Sequence, residues 1–181
     1  MKKLLAARQG RLLAGLMGLL AAAAVTASPA ASAATSIASE MEAGKSCAVE
    51  LSKVKPGSPD AKIQRYACAD TQEKAAAMLP ADIRRVGLAV FYEHSYQSGR
   101  SYGVYGDSPC DSAGWGFSDL NDINNQIGIS SYETFNACNA QIVYKQVRYG
   151  GLCGFYNGFK QNISVACNDQ VRSMKVYAAS T

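Results

Sequence analysis

The chain has 181 residues, with 18 Lys+Arg against 14 Asp+Glu and a formal net charge of +4. Four of the basic residues (Lys2, Lys3, Arg8 and Arg11) lie at the start, so the remainder is formally neutral. It has no block of Lys or Arg to neutralise a phosphate backbone, which argues against a nucleic-acid partner.

The basic start runs into a continuous apolar stretch, Leu12 to Val25, and then Ala31-Ser32-Ala33, a small-x-small cleavage pattern. This reads as a secretory signal peptide over 1–33, with a secreted, extracellular mature chain. The apolar run is short for a membrane anchor, and nothing later resembles a span. All six cysteines follow it, which in an exported chain reads as three disulfides. With one histidine (His94) and no Cys-x-x-Cys pair, zinc lacks a ligand set.

Residues 34–85 read as a leader: a disulfide-linked hairpin and a short helix. Ser46 to Val54 and Lys62 to Cys68 suit strands around the turn signal Pro56-Gly57-Ser58-Pro59. A turn centred between Gly57 and Ser58 sets Cys47 opposite Cys68, Val49 opposite Tyr66 and Leu51 opposite Gln64, so a Cys47–Cys68 bridge is expected. Thr71 to Leu79 is expected to be a helix, capped by Thr71 or Asp70 and followed by Pro80.

Beyond Arg85 turn residues recur every eight to twelve positions or so, the pattern of an all-β sandwich or barrel. Strands are expected at 86–93, 101–105, 127–129, 141–146, 152–156, 163–166 and 171–177. Gly106 to Leu120 is expected to be a long loop and 130–139 a connection. The segment reads as a repeat. Tyr92 and Gly99 map to Tyr144 and Gly151; Asn121-Asp122 maps to Asn168-Asp169, and Ile127 and Ile129 to Met174 and Val176. Such copies pack on each other because neither buries its apolar face alone.

An aromatic-x4-aromatic-x-Gly hairpin followed by Asn/Asp-Asn/Asp-x-x-Ser/Thr-Ser resembles the Greek key motif of the βγ-crystallins. It occurs as Tyr92–Gly99 with Asn121–Gln126, and as Tyr144–Gly151 with Asn168–Ser173. The whole arrangement is similar to secreted crystallin-like proteins of actinobacteria. The first copy departs from the pattern, with Gln97 in the middle aromatic place and Tyr96 one position early. The resemblance implies a two-sheet β-sandwich of two Greek keys over 86–181, with motifs at 86–130 and 141–178. Taken with the positions of the remaining cysteines, it favours Cys110–Cys138 and Cys153–Cys167 among the fifteen pairings that six cysteines allow.

The family's microbial members bind calcium through a carbonyl and a Ser/Thr hydroxyl of one motif and a carboxylate of the other. Calcium takes six to eight such hard oxygens. The resemblance thus implies that Asn125, the Ile123 carbonyl and Asp169 hold one weak calcium ion. At the second site Arg172 occupies the hydroxyl's place, and arginine offers donors only. Its guanidinium is expected to replace the ion and pair with Asp122. The alternative is that both Asn-Asp pairs only make turns.

No constellation points to catalysis. His94 sits beside Glu93 without a nucleophile, and Gly116-Phe117-Ser118-Asp119 lacks the second glycine of a nucleophile elbow. The expectation is a monomeric, non-enzymatic secreted module, structural or stress-related. A second reading is a proteinase inhibitor that presents Gly106 to Gly116 and Trp115 to a secreted protease, although Trp115 equally suits core packing. A third is a cell-wall or carbohydrate binder, motivated by ten tyrosines.

Overall fold

The computed structural model describes residues 37–53, 60–80 and 86–179. The signal peptide, the Pro56–Pro59 turn and the side chain of Asp122 lie outside the described residues. A helical stretch, α1 (37–42), precedes β1 (Ser46–Lys53), β2 (Ala61–Ala69) and α2 (Gln72–Met78). Then come β3 (Val86–His94), β4 (Ser98–Gly106), β5 (Trp115–Phe117), α3 (Asn121–Ile127) and β6 (Ser131–Thr134). The last strands are β7 (Ala140–Tyr144), β8 (Leu152–Asn157), β9 (Lys160–Asn162) and β10 (Ser173–Tyr177).

The strands form two sheets, ordered β2-β1-β4-β3-β6-β9 and β5-β10-β7-β8. Each repeat contributes four strands, β3–β6 and β7–β10. In both, the fourth strand lies beside the first, as in a Greek key, and the third strand crosses to the other repeat's sheet. Thus β5 pairs with β10, and β9 pairs with β6. The fold is a two-sheet all-β sandwich with an internal duplication.

The core lies between the sheets. On β10, Met174 and Val176 turn inward and are fully buried, while Lys175 and Tyr177 point out, the period-2 pattern of a half-buried strand. Phe91 meets Phe117 edge-on across the interior at 5.7 Å. The leader belongs to the same core. β1 runs parallel to β4, and Ile37, Met41 and Val49 join the cluster that holds Phe91 and Trp115. α2 covers the outer face of the six-stranded sheet, with Ala75 and Leu79 against Ala48. Thr71 caps this helix, its hydroxyl accepting from the Lys74 amide at 3.3 Å.

Cys47 faces Cys68 and Val49 faces Tyr66, as expected. A bulge after Glu50 then shifts the register, so Leu51 faces Ile63 rather than Gln64. The three bridges are Cys47–Cys68, Cys110–Cys138 and Cys153–Cys167, the expected pairs. Such cross-links belong to an oxidising compartment. Among the described residues no helix is long and apolar enough to cross a membrane.

Several expectations need correction. Residues 121–127 are helical instead of a turn leading to a strand. Leu120, Ile123 and Ile127 recur at helical spacing and are all buried, so the segment seals the core with one helical face. Asp119 accepts from the Asn121 amide at the helix entry, 2.9 Å away. The expected connection 130–139 contains β6, the expected loop 106–120 contains β5, and β9 precedes the strand expected at 163–166. These are short segments of three or four residues, too brief for a periodic signal.

Candidate functional site

Two hairpins, between β3 and β4 and between β7 and β8, fold back on their sheets. Tyr96, Gln97 and Gly99 have positive φ in the first, as do Arg148, Tyr149 and Gly151 in the second. The bend is therefore the same in both copies, although Gln97 replaces the aromatic. One serine clamps each. Ser131 Oγ accepts from the Gln97 amide at 3.0 Å and donates to the His94 carbonyl at 2.6 Å. Ser173 Oγ accepts from the Tyr149 amide at 3.0 Å and donates to the Gln146 carbonyl at 2.6 Å.

This equivalence resets the register of the signature. If Ser131 is the counterpart of Ser173, then Gln126-Ile127-Gly128-Ile129-Ser130-Ser131 corresponds to Asn168-Asp169-Gln170-Val171-Arg172-Ser173. The expected first signature, Asn121–Gln126, begins five positions early and lies in α3. Ile129 and Val171, counterparts in this register, are both fully buried.

In the corrected register three oxygens converge. The Ser130 hydroxyl lies 3.1 Å from the Gly128 carbonyl and 3.2 Å from Asp169 Oδ1, so one hydroxyl links two backbone segments from different motifs. Asp169 Oδ2 accepts from the Asn168 side-chain amide at 2.9 Å, and its own backbone N–H donates to the Ile129 carbonyl at 3.3 Å. Gly128 has φ +53°, and a Cβ there would stand 2.7 Å from Asp169 Oδ1. Only glycine lets the carboxylate lie against the loop backbone. Carbonyl, hydroxyl and carboxylate are the hard donors calcium takes, and the set fits such an ion with water completing its shell. Among the described residues no cluster of three His, Cys, Asp or Glu could hold a metal. A cation here would depend on one carboxylate and neutral oxygens.

The residues expected to form the site are not the ones brought together. Asp169 meets Ser130 and Gly128. Asn125 Oδ1 instead accepts from Arg172 Nη1 at 2.6 Å, and Ile123 is a buried helix residue of α3. Arg172 thus pairs with Asn125, and its expected pairing with Asp122 falls on a side chain outside the described residues. The symmetry-related position would need Gln170, Arg172 and Ile127. It has an arginine for the hydroxyl and a buried isoleucine for the carboxylate, so it offers no ion a ligand set. Ser130 and Gly128 were missed because Ser130-Ser131 lacks a preceding Asn/Asp pair. The terminal Ser-Ser was the readable signal.

Arg100 braces this region. It holds Glu93 through Nε at 3.0 Å and Nη2 at 2.8 Å, and donates to the carbonyls of Met41 and Gln126 at 2.6 and 2.7 Å. It thereby ties α1, β3 and the start of the signature loop. The guanidinium holds the Glu93 carboxyl below its ordinary range. Beneath the core side, the Tyr132 hydroxyl donates to Gln141 Oε1 at 2.7 Å, and burial pushes the phenol's pKa upward. The Tyr92 phenol is pushed up to about 12, chiefly by burial and next by Glu133.

Trp115 is 0 % exposed on β5, with Lys53 Nζ 5.1 Å from its ring centroid. It is a core residue and not a contact surface. His94 ends β3, exposed, and its carbonyl serves the Ser131 clamp.

No family model matches the chain, and no curated protein matches it. Among solved structures it is similar to a βγ-crystallin domain from Flavobacterium johnsoniae, at 21% identity and TM-score 0.38 over 52% of this chain and 98% of that one. It is also similar to a double mutant of a βγ-crystallin domain from Clostridium beijerinckii, at 18% identity and TM-score 0.39 over 52% and 100%. A third, from work on the evolution of the eye lens βγ-crystallin domain fold, is 18% identical with TM-score 0.38 over 56% and 95%.

Proposed function

We propose that the protein is a secreted, non-enzymatic structural module of βγ-crystallin type that takes up one calcium ion weakly between its two motifs. The observation that carries this reading is the convergence of the Gly128 carbonyl, the Ser130 hydroxyl and the Asp169 carboxylate. The signal-peptide pattern and three disulfides support export.

Calcium would join the 128–130 loop of one motif to Asp169 of the other. It would stabilise only the folded state, in which both segments meet. Extracellular sites with few charged ligands bind at about 10⁻⁴–10⁻³ M. At tenfold excess over such a constant the gain is about 1.4 kcal/mol. Calorimetric titration and thermal melting, with calcium and with chelator, test the reading. We expect one site per chain and a raised melting temperature, both lost in Asp169→Asn. No heat and no shift, or two sites, would sink it. The inhibitor alternative relied on an exposed Trp115, and the burial of that ring leaves it without support.

A further inference from the structure

The two sheets differ on their outer faces. α2 covers the six-stranded sheet, whereas the four-stranded sheet has no helix across it among the described residues. Its outer residues form three cross-strand rows: Ser173–Tyr144–Leu152, Gly116–Lys175–Ile142–Phe155 and Tyr177–Ala140–Asn157. Phe155 is 65% exposed and Leu152 56%, while Tyr144, Ile142 and Tyr177 are half-buried. The folded hairpin adds Tyr149, whose ring lies 5.7 Å from that of Tyr144 and 4.4 Å from Lys175 Nζ. Aromatic rings from β7, β8, β10 and the hairpin thus share one sheet face around a central cation.

The charge of this half is also distinct. Residues 140–179 carry Lys145, Arg148, Lys160, Arg172 and Lys175 against Asp169 alone. Residues 34–139 carry nine bases against thirteen acids, so the formal neutrality of the mature chain conceals two opposite halves, +4 and −4. Lys160 lies on β9 in the other sheet and pairs with Glu133, and Arg172 pairs with Asn125. One carboxylate of the leader, Asp60, reaches the edge of the strip, where it accepts from the Tyr149 hydroxyl at 2.7 Å. Lys145 and Arg148 are exposed on the hairpin that folds over the aromatic strip, and Lys175 lies within it.

We propose that this face binds an acidic polysaccharide, with the rings of Phe155, Tyr177 and Tyr144 against sugar faces and Lys175, Lys145 and Arg148 against its carboxylates. Rings spread over several strands suit an extended chain that meets them in turn, and the three cations complement an anionic one. A polyuronate carries one carboxylate per sugar, so its charges are spaced more widely than the one per about 1.7 Å of duplex DNA, and three cations can meet it. A nucleic acid, with a charge on every phosphate, calls for a denser basic footprint. The site does not use the cation oxygens, so this proposal and the calcium reading fail separately.

The test is retardation of the full mature chain on columns carrying immobilised polygalacturonate, dextran or duplex DNA, with chelator present so that calcium cannot bridge. Retardation by polygalacturonate that fades with salt, with none by dextran, is expected. Phe155→Ala and Lys175→Gln should each weaken it about tenfold, the effect of losing one good aromatic or ionic contact, with unchanged melting temperature. Both side chains are peripheral to the core, so the variants should fold. Absence of retardation by polygalacturonate overturns the proposal, as does equal retardation by dextran. So does stronger retardation by DNA that Phe155→Ala leaves intact. A dimer that Phe155→Ala splits into monomers would assign the face to a second copy of the chain instead.

Discussion

Ser131 and Ser173 hold their hairpins through the same two hydrogen bonds, with matching distances of 3.0 Å from an amide and 2.6 Å to a carbonyl. Both residues are fully buried. Replacing either with alanine removes two part-buried hydrogen bonds, at a cost of about 1–2 kcal/mol. Ser131→Ala and Ser173→Ala should therefore lower the denaturant midpoint by similar amounts. Hydrogen exchange should quicken at the Gln97 amide in the first variant and at the Tyr149 amide in the second.

The duplicated signature makes a further prediction about stoichiometry. Arg172→Ser restores a hydroxyl at the second position, yet Ile127 still stands where a carboxylate is needed. Arg172→Ser alone should leave calcium binding at one ion per chain. The double change Arg172→Ser with Ile127→Asp supplies both ligands but places a charge at a buried apolar position. Only at saturating calcium should it approach two ions, and its calcium-free form should melt well below the parent. Titration calorimetry on both variants reads the difference.

The Glu93–Arg100 pair fixes the direction of one pH effect. The folded carboxyl titrates below its ordinary value of 4.5, because the guanidinium hydrogen-bonds its charged form. A depressed folded value contributes stability that is present above the unfolded value and lost as pH falls through the folded one. With both side chains about a quarter exposed, the pair contributes about 1–2 kcal/mol. The gap in melting temperature between the parent and Glu93→Gln should be constant well above pH 4.5 and close as pH falls below it. A gap that ignores pH would count against the pair.

Trp115 provides a direct optical check. It is the only tryptophan and lies fully buried on β5. Its emission should be blue-shifted and poorly quenched by iodide until the chain unfolds. Trp115→Ala should cost about 3–5 kcal/mol, the range for deleting a large buried ring. An indole freely quenched in the folded protein would restore the loop as a contact surface.

The sequence made the duplication legible wherever side chain and backbone constraint coincide. Gly99 and Gly151 mark positive φ, alternation marks β10, and the pairing of Cys47 with Cys68 and of Val49 with Tyr66 was legible. Past the bulge after Glu50, Leu51 to Lys53 run one residue out of the expected register. The register of the first signature was not legible. Asn121-Asp122 has turn chemistry, but Leu120, Ile123 and Ile127 bury one face and make the segment a helix. The candidate site followed that slip: Asp169 was readable, while Ser130 and Gly128 became identifiable only once the Ser131 clamp set the alignment. The aromatic strip was hidden for another reason. Its residues come from four strands, and its charge is concealed by a neutral total.

The exchange of third strands also bears on how the chain is delivered. β5 takes its strand partner from the second repeat, where Phe117 pairs with Met174 and Trp115 with Val176. From its own half the described residues give it only an isolated bridge between Asp60 and Gly116. A polypeptide emerging amino end first can set Trp115 against Lys53 and Phe117 against Phe91, but the edge that Met174 and Val176 cover stays open until the last strand arrives. The first motif thus keeps an unfinished edge until that strand is made, and the apolar residues there are exposed to aggregation during that interval. Completion is a single late event that closes both halves at once, so a chain interrupted between the motifs yields no stable half-protein.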